Sequence, residues 1–116
     1  MLEAALVADG VDIALAGRPP KASGMGLVFL QADGGVSSVV VGGANACWPR
    51  ARDKELGALC RAATSASAVL LQREIPEHVN VALAKAAAAA RVPVLQDVGG
   101  EDRPISDEQL AACDYV

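Results

Sequence analysis

The chain has 116 residues, of which 53% are hydrophobic, and its formal net charge is -4. This length and apolar content predict one small domain with a real core and argue against a disordered chain. The ten basic residues are scattered, which argues against nucleic acid and against an anionic membrane as partners.

The N-terminal part of the sequence predicts a helix followed by a hairpin. Residues 2–9 have helical composition and stop at Gly10, a residue that suits the left-handed position after a helix. Pro19 and Pro20 exclude regular structure from the next segment. The β-branched runs MGLVFLQ and SSVVVGG, joined by the Asp-Gly turn signal in ADGG, predict two antiparallel strands at about residues 24–43.

The first strand of this hairpin has an open face. Because side chains alternate along a strand, Gly26, Val28 and Leu30 share one face while Leu27 and Phe29 share the other. Glycine leaves room on the first face. The pattern permits two interpretations, a bulge or close backbone crossing at Gly26, or a ligand lying over this face.

From about residue 53 to residue 116 the sequence alternates between helices and strands. A helix with Asp53 as its predicted N-cap precedes a strand at 66–72, a helix at 77–91 and a strand at 92–100. SDEQLAAC then opens with a predicted capping box between Ser106 and Gln109, and DYV begins a last strand. This alternation predicts a parallel sheet covered by helices.

Helical spacing predicts which side chains of the two longer helices face the core. The expected stripes are Leu56, Leu59, Cys60 and Ala63 in the first helix, and Val79, Leu83, Ala86 and Ala90 in the second. Cys47, Cys60 and Cys113 are widely spaced, with His78 as the one histidine of the chain. We therefore expect reduced, mostly buried thiols, a solvated surface histidine and no zinc site.

Glu74, in the segment LLQREIP, is the main candidate for chemistry. It follows a predicted parallel strand, and ligands of such sheets bind at the carboxyl ends of the strands. A carboxylate there can accept hydrogen bonds from two neighbouring hydroxyls of a sugar. The alternative is a solvated loop acid, favoured by the dipole of the helix that begins near Glu77. The residues by themselves leave both interpretations open.

Two glycine segments also follow predicted strands. Gly42-Gly43-Ala44-Asn45 provides the positive φ angles of a sharp turn, but it is not followed at once by a predicted helix. Gly99-Gly100, with Asp97 before it, approaches a ligand or reverses the chain. No dinucleotide fingerprint, phosphate-binding loop motif or Ser/His/Asp set occurs in the sequence.

The order of five segments resembles the middle portion of the ribokinases, which are sugar kinases of the phosphofructokinase-B family. The segments are SGMGLVFLQADG, VVVGGANACWP, LLQREIP, AKAAAAARVPVLQDVGG and LAACDYV. CWP, LLQREIP and DVGG look most like the plant and algal members. The resemblance implies a ribokinase-like α/β fold, in which a partial parallel sheet flanked by helices carries a small antiparallel lid hairpin. It also implies that Glu74 binds ribose and that Gly26 and Val28 lie on the lid face toward the sugar.

The resemblance further implies a parent enzyme that phosphorylates D-ribose at O5 from ATP, with Mg²⁺ and a monovalent cation as cofactors. The catalytic base and the ATP loop of the family match no residue of this sequence. We therefore expect residues 1–116 to be a partial kinase domain that is inactive alone, with the ATP and Mg²⁺ sites largely outside it. The lid implies a homodimeric parent.

Two alternatives to this interpretation stay open at the level of sequence. The parent could act on another sugar or a nucleoside, or the chain could be a non-catalytic fragment or dimerisation module. No apolar run reaches the roughly 18 residues of a membrane-spanning helix, and the sequence contains no recognisable targeting segment. We expect a cytoplasmic or plastid location.

Overall fold

The structure, a computed structural model, describes residues 2–99 and 103–116. The helices in these ranges are α1 (Leu2–Ala8), α2 (Lys54–Thr64), α3 (Glu77–Ala89) and α4 (Asp107–Leu110). The strands are β1 (Met25–Leu30), β2 (Val36–Val41), β3 (Val69–Leu71) and β4 (Val94–Gln96), and a short 3₁₀ helix, Gly43–Ala46, follows β2. The order of elements is the predicted one.

The predicted hairpin is confirmed, and its pairing is regular. β1 and β2 are antiparallel, with partners running without interruption from Met25↔Val41 to Leu30↔Val36, so there is no bulge at Gly26. The turn closes through the Gly34 amide, which donates to the Gln31 carbonyl at 3.0 Å. Gly34 has φ +87°, the left-handed conformation that the Asp-Gly signal predicts.

The second sheet is parallel, as predicted, and is covered on one face. β3 and β4 pair in parallel register. Leu71 and Val94 point into the core, whereas Leu70 on the opposite face is 76% exposed. The last predicted strand is reduced to a single parallel bridge between Leu95 and Tyr115. The apolar run of β3 is therefore buried on one side only.

The core lies between this sheet and the helices α2 and α3. Its buried members are Ala63, Leu71, Ala84, Ala87, Val92 and Val94. In α3 the buried residues are Val79, Asn80, Ala84 and Ala87, so the predicted stripe was correct for Val79 and wrong for Ala90, which is exposed. A pattern based on apolar residues could not include the polar Asn80, and it consequently placed the stripe about one residue away.

Helix α3 ends at Ala89, two residues before the predicted end. Arg91 adopts φ +62°, and the Val92 amide reaches back to the Ala87 carbonyl at 2.9 Å. This is the closing bond of a left-handed helix end, and the buried Val92 anchors it in the core. The left-handed position is held here by arginine, so the glycine signal that usually marks it is absent.

The two predicted helix caps are formed only in part. Asp53 occupies the N-cap position of α2, but its carboxylate accepts from the Arg50 amide at 2.7 Å and does not cap the helix. Ser106 Oγ accepts from the Gln109 amide at 3.3 Å, as the capping box requires. The Gln109 side chain instead donates to Gln96 Oε1 in the core, because burial gives it that partner.

All three cysteines are free, as expected, but Cys47 is exposed and the other two are half-buried. The expectation of mostly buried thiols is thus wrong for Cys47, which lies in the irregular segment after the 3₁₀ helix. His78 is exposed, as predicted, and its Nε2 lies 2.9 Å from the Pro49 carbonyl oxygen.

The core face of α3 has room only for small side chains. Ala87 is fully buried, whereas its neighbour Ala88 is exposed on the same helix. Ala87→Leu should lower the free energy of unfolding by about 1–3 kcal/mol, because extra carbons overpack the contact with the sheet. Ala88→Leu is the matched control and should leave it nearly unchanged. Equal effects in urea unfolding would contradict this packing.

Candidate functional site

Glu74 lies at the carboxyl end of the parallel sheet. β3 ends at Leu71 and α3 begins at Glu77, so Glu74 occupies the short bend between them, and its side chain is exposed. The place predicted from sequence is therefore correct. Its role as a sugar ligand stays a prediction.

Buried bonds hold the backbone that leads into this bend. Asn80 is 2% exposed, and its side-chain Nδ2 donates to the Gln72 backbone carbonyl at 2.5 Å. The Asp97 amide donates to the Leu71 carbonyl at 2.9 Å, which ties the end of β3 to the end of β4. These bonds hold the backbone on the N-terminal side of the bend, just before Glu74.

Two arginines near Glu74 were missed by the sequence reasoning. Arg73 is 8% exposed, and its guanidinium donates to carbonyl groups of the segment that follows β4. In the opposite direction, the Arg103 guanidinium donates to the carbonyl groups of Arg73 and Ile75, on either side of Glu74. Their spacing of 30 residues follows no local motif, so only the fold brings them together.

The Asp97 side chain makes two local contacts just after β4. Asp97 Oδ1 accepts from the Gly99 amide at 2.8 Å, and Oδ2 lies 3.5 Å from Gln72 Nε2. The structure assigns no turn or bend to residues 97–99, so ligand approach and chain reversal both stay predictions for this segment. Gly100 lies outside the described residues.

Gly26 and Val28 lie on β1, a separate element from the Glu74 bend. Val28 is 70% exposed, and a Cβ placed on Gly26 would meet no atom within 4 Å. The structure therefore shows neither a bulge nor a backbone crossing at Gly26. The face is open, as a lid over a ligand requires, and the sugar contact of both residues stays a prediction.

The glycine segment after β2 packs closely against the backbone of residues 22–24. Gly43 has φ +51°, and a Cβ there would lie 2.7 Å from Ala22 O, Ser23 C and Gly24 N. The 3₁₀ helix Gly43–Ala46 overlaps this segment, and the next helix is α2 at Lys54, so the segment is not followed at once by a further helix, as predicted. Four residues of 3₁₀ helix carry no apolar periodicity that a sequence pattern could detect.

An open groove of about 590 Å³ lies between the segment 14–19 and the start of α2. Leu15, Trp48 and Leu59 contribute apolar surface, and Asn45 and Glu55 are polar members of its lining. No pattern in the sequence predicts this groove.

Metal ligation is not supported by the described part of the chain. Within residues 2–99 and 103–116, no group of three or more His, Cys, Asp or Glu side chains could hold a metal ion. No helix within those ranges is long and apolar enough to cross a membrane.

Glu77 links the start of α3 to the start of α4. Its Oε1 accepts from the Ser106 amide at 2.8 Å. The bonds from Ser106 hold the pKa of the Glu77 carboxyl below its usual value of 4.5, and the positive charges of Arg103 and Arg73 act in the same direction. Glu77 is therefore an anion at neutral pH and one negative charge near both arginines.

This link predicts an acid-dependent loss of stability. Because the folded-state pKa of Glu77 is lowered, its contribution is present above the unfolded-state value and disappears as the pH falls through the folded-state value. The unfolding free energy of Glu77→Gln should therefore fall less between about pH 7 and about pH 3 than that of the unchanged chain. Parallel denaturation curves at both pH values would measure it, and identical losses would contradict the link.

The comparisons with known proteins agree with the fold. The chain is 45% identical over 95 residues to the ribokinase of Arabidopsis thaliana, a match that covers 81% of this chain and 24% of that protein. A solved structure of Arabidopsis thaliana ribokinase complexed with ribose and ATP superimposes with a TM-score of 0.66 at 44% identity. The chain is similar to part of a ribokinase. The predicted relationship and the ribokinase-like α/β fold class are confirmed.

The extent of these matches is partial. The structural match covers 82% of this chain and 30% of the Arabidopsis ribokinase chain. A crystal structure of a protein named Sa239 matches 97% of this chain and 36% of its own, with a TM-score of 0.77 at 19% identity, which supports the fold alone. No family model matches the sequence. The chain thus spans about a quarter to a third of the length of its relatives.

Proposed function

We propose that this chain is the sugar-binding segment of a ribokinase. The complete polypeptide would transfer the terminal phosphoryl group of ATP to O5 of D-ribose. The observation that carries this proposal is the 45% identity to Arabidopsis ribokinase over 95 residues, which include the bend at Glu74 in a fold that superimposes on a ribose and ATP complex.

In this proposal Glu74 and the hairpin contact the sugar from two elements. Glu74 is exposed at the carboxyl end of β3, where a carboxylate can accept hydrogen bonds from two neighbouring hydroxyls. Gly26 and Val28 would form the lid face over the sugar, since Gly26 leaves room for a ring above the strand. Water excluded by such a lid would strengthen the bonds to Glu74.

ATP and Mg²⁺ would be held by other residues of the complete polypeptide. Phosphoryl transfer requires a metal, positioned donors and a carboxylate that orients the acceptor hydroxyl. The described residues offer no metal cluster, and the proposed task of Glu74 is to bind hydroxyls. We therefore assign no catalytic base to this chain and propose that the 116 residues alone have no turnover. A monovalent cation would likewise bind elsewhere.

The test is ADP release by the complete polypeptide, expressed from its natural transcript, with ribose, fructose and adenosine as acceptors. The proposal predicts a preference for ribose, with D-ribose 5-phosphate as product. A preference for fructose or adenosine would favour the alternative of another kinase of the family. Saturable activity of the 116-residue chain alone would contradict the claim that it lacks the catalytic groups.

One observation favours a further role for the hairpin. Its apolar side chains are exposed on both faces, including Leu30 at 76% on one face and Phe29 at 55% on the other. Exposed apolar surface of this kind marks an interaction site, and a homodimer of the complete protein through the lid would cover it. Sedimentation of the complete polypeptide tests this, and a monomer at all concentrations would contradict it.

Location and natural length are separate proposals. Chloroplast and cytosol fractions, probed with an antibody against residues 70–80, would decide between plastid and cytoplasm. The intact mass of the captured protein would decide between a full-length kinase and a non-catalytic fragment of about the 11.8 kDa of this chain.

A further inference from the structure

We infer that Arg73 and Arg103 are positioning residues that hold the Glu74 bend in the form that binds sugar. The inference rests on the proposed function, because it takes Glu74 as the sugar ligand. It adds that the ligand depends on a reciprocal pair of arginines, here called the arginine clasp, which joins the bend before α3 to the segment after β4.

The first half of the clasp is Arg73. Its Nη1 donates to the Val98 carbonyl at 3.2 Å, and its Nη2 donates to the Arg103 carbonyl. One planar guanidinium thus reaches two carbonyl groups of the segment after β4. Hydrogen bonds from a charged donor are about twice as strong as neutral ones, and burial of the side chain protects them from water.

The second half is Arg103, which runs in the opposite direction. Its Nη2 lies 3.4 Å from the Arg73 carbonyl oxygen and 3.5 Å from that of Ile75. These two carbonyls belong to the residues immediately before and after Glu74. The clasp therefore fixes the backbone on both sides of the proposed ligand.

The charges of the clasp are balanced locally. Two guanidinium groups in one small region repel each other, and a nearby anion offsets this repulsion. Glu77, two residues after Ile75, is such an anion, and its carboxylate is itself held by the Ser106 amide at 2.8 Å. These bonds link the bend to Val98, to Arg103 and to Ser106 at the start of α4.

The geometry separates positioning from binding. Arg73 is buried and directed into carbonyl groups, whereas the adjacent Glu74 is exposed. A protein carboxylate on a bend binds a sugar well only if the backbone of the bend is already held near the binding geometry. Otherwise part of the binding free energy is lost in ordering that backbone. The arginine clasp holds the bend in this geometry in the absence of sugar.

The test is a double-mutant cycle in the complete polypeptide. Arg73→Met should raise the KM for ribose about tenfold and leave the KM for ATP unchanged, since a single charge-assisted contact is worth about that factor. In a Glu74→Gln background the same substitution should have little further effect, because there is no longer a carboxylate to position. Arg61→Met, at an exposed arginine in the last turn of α2, is the control.

Each outcome of the cycle decides a different claim. An unchanged ribose KM in Glu74→Gln would overturn the proposed role of Glu74 as the sugar ligand. A large effect of Glu74→Gln with no effect of Arg73→Met, or with fully additive effects, would overturn the clasp. If Arg73→Met does not fold, Arg103→Met enters the same cycle, because it removes the bonds to the carbonyls beside Glu74 from a more exposed position.

Discussion

Replacing Glu74 with Gln in the complete polypeptide is expected to raise the KM for ribose by about 10- to 100-fold. The amide keeps the size of the side chain but loses the charge, and a hydrogen bond to a charged group is worth about 1.5–3 kcal/mol. The amide nitrogen also offers a donor where a sugar hydroxyl needs an acceptor. Steady-state kinetics with ribose as the varied substrate at saturating ATP measures this effect.

Glu108→Gln is the matched control for this substitution. Like Glu74, Glu108 is an exposed carboxylate. It lies in the first turn of α4 and pairs with Lys85 at 2.8 Å on the surface. Exposed ion pairs contribute little, so ribose kinetics and stability should both stay nearly unchanged. A Glu74→Gln enzyme with the ribose KM of the Glu108→Gln enzyme would show that Glu74 is only a solvated loop acid.

Gly43→Ala is expected to destabilise the base of the hairpin by about 2–4 kcal/mol. A residue with a Cβ resists the left-handed conformation by roughly 1–2 kcal/mol. The new Cβ would also lie 2.7 Å from backbone atoms of Ala22, Ser23 and Gly24, which cannot move without disturbing β1. Because β1 carries Gly26 and Val28, the ribose KM should rise together with the loss of stability.

The neighbouring Gly42 provides the control for this effect. It has φ -60°, and a Cβ there would meet no atom within 4 Å. Gly42→Ala should therefore leave the free energy of unfolding within about 0.5 kcal/mol of the unchanged protein. Equal melting temperatures for the two variants would contradict the close contact at Gly43.

The order of elements could be predicted because each has a local signal. The Asp-Gly turn and two β-branched runs predicted the hairpin, and the helical spacing of Leu56 and Ala63 predicted the buried side of α2. Glu74 could be placed at a strand end for the same reason, since an apolar run and a following proline bound its bend. These features depend on residues that are close in sequence.

The features that sequence reasoning missed depend on residues that are far apart. Arg73 and Arg103 are 30 residues apart, and each looks like an ordinary surface arginine until the fold brings them together. Buried Asn80 donates from its side chain to the Gln72 backbone carbonyl. The Gln109 side chain donates to Gln96 Oε1 in the core and does not form its half of the predicted capping box. The partners of buried polar groups depend on the tertiary structure, and the periodicity of apolar residues does not predict them.

The most direct test of the account is a crystal structure of the complete polypeptide with bound ribose. The account predicts a ribose hydroxyl within about 2.5–3.0 Å of a Glu74 carboxylate oxygen, with the open face of Gly26 and Val28 turned toward the sugar. It also predicts that the carbonyls beside Glu74 keep their bonds to Arg103. Ribose bound at another place, with Glu74 directed into solvent, would contradict the account.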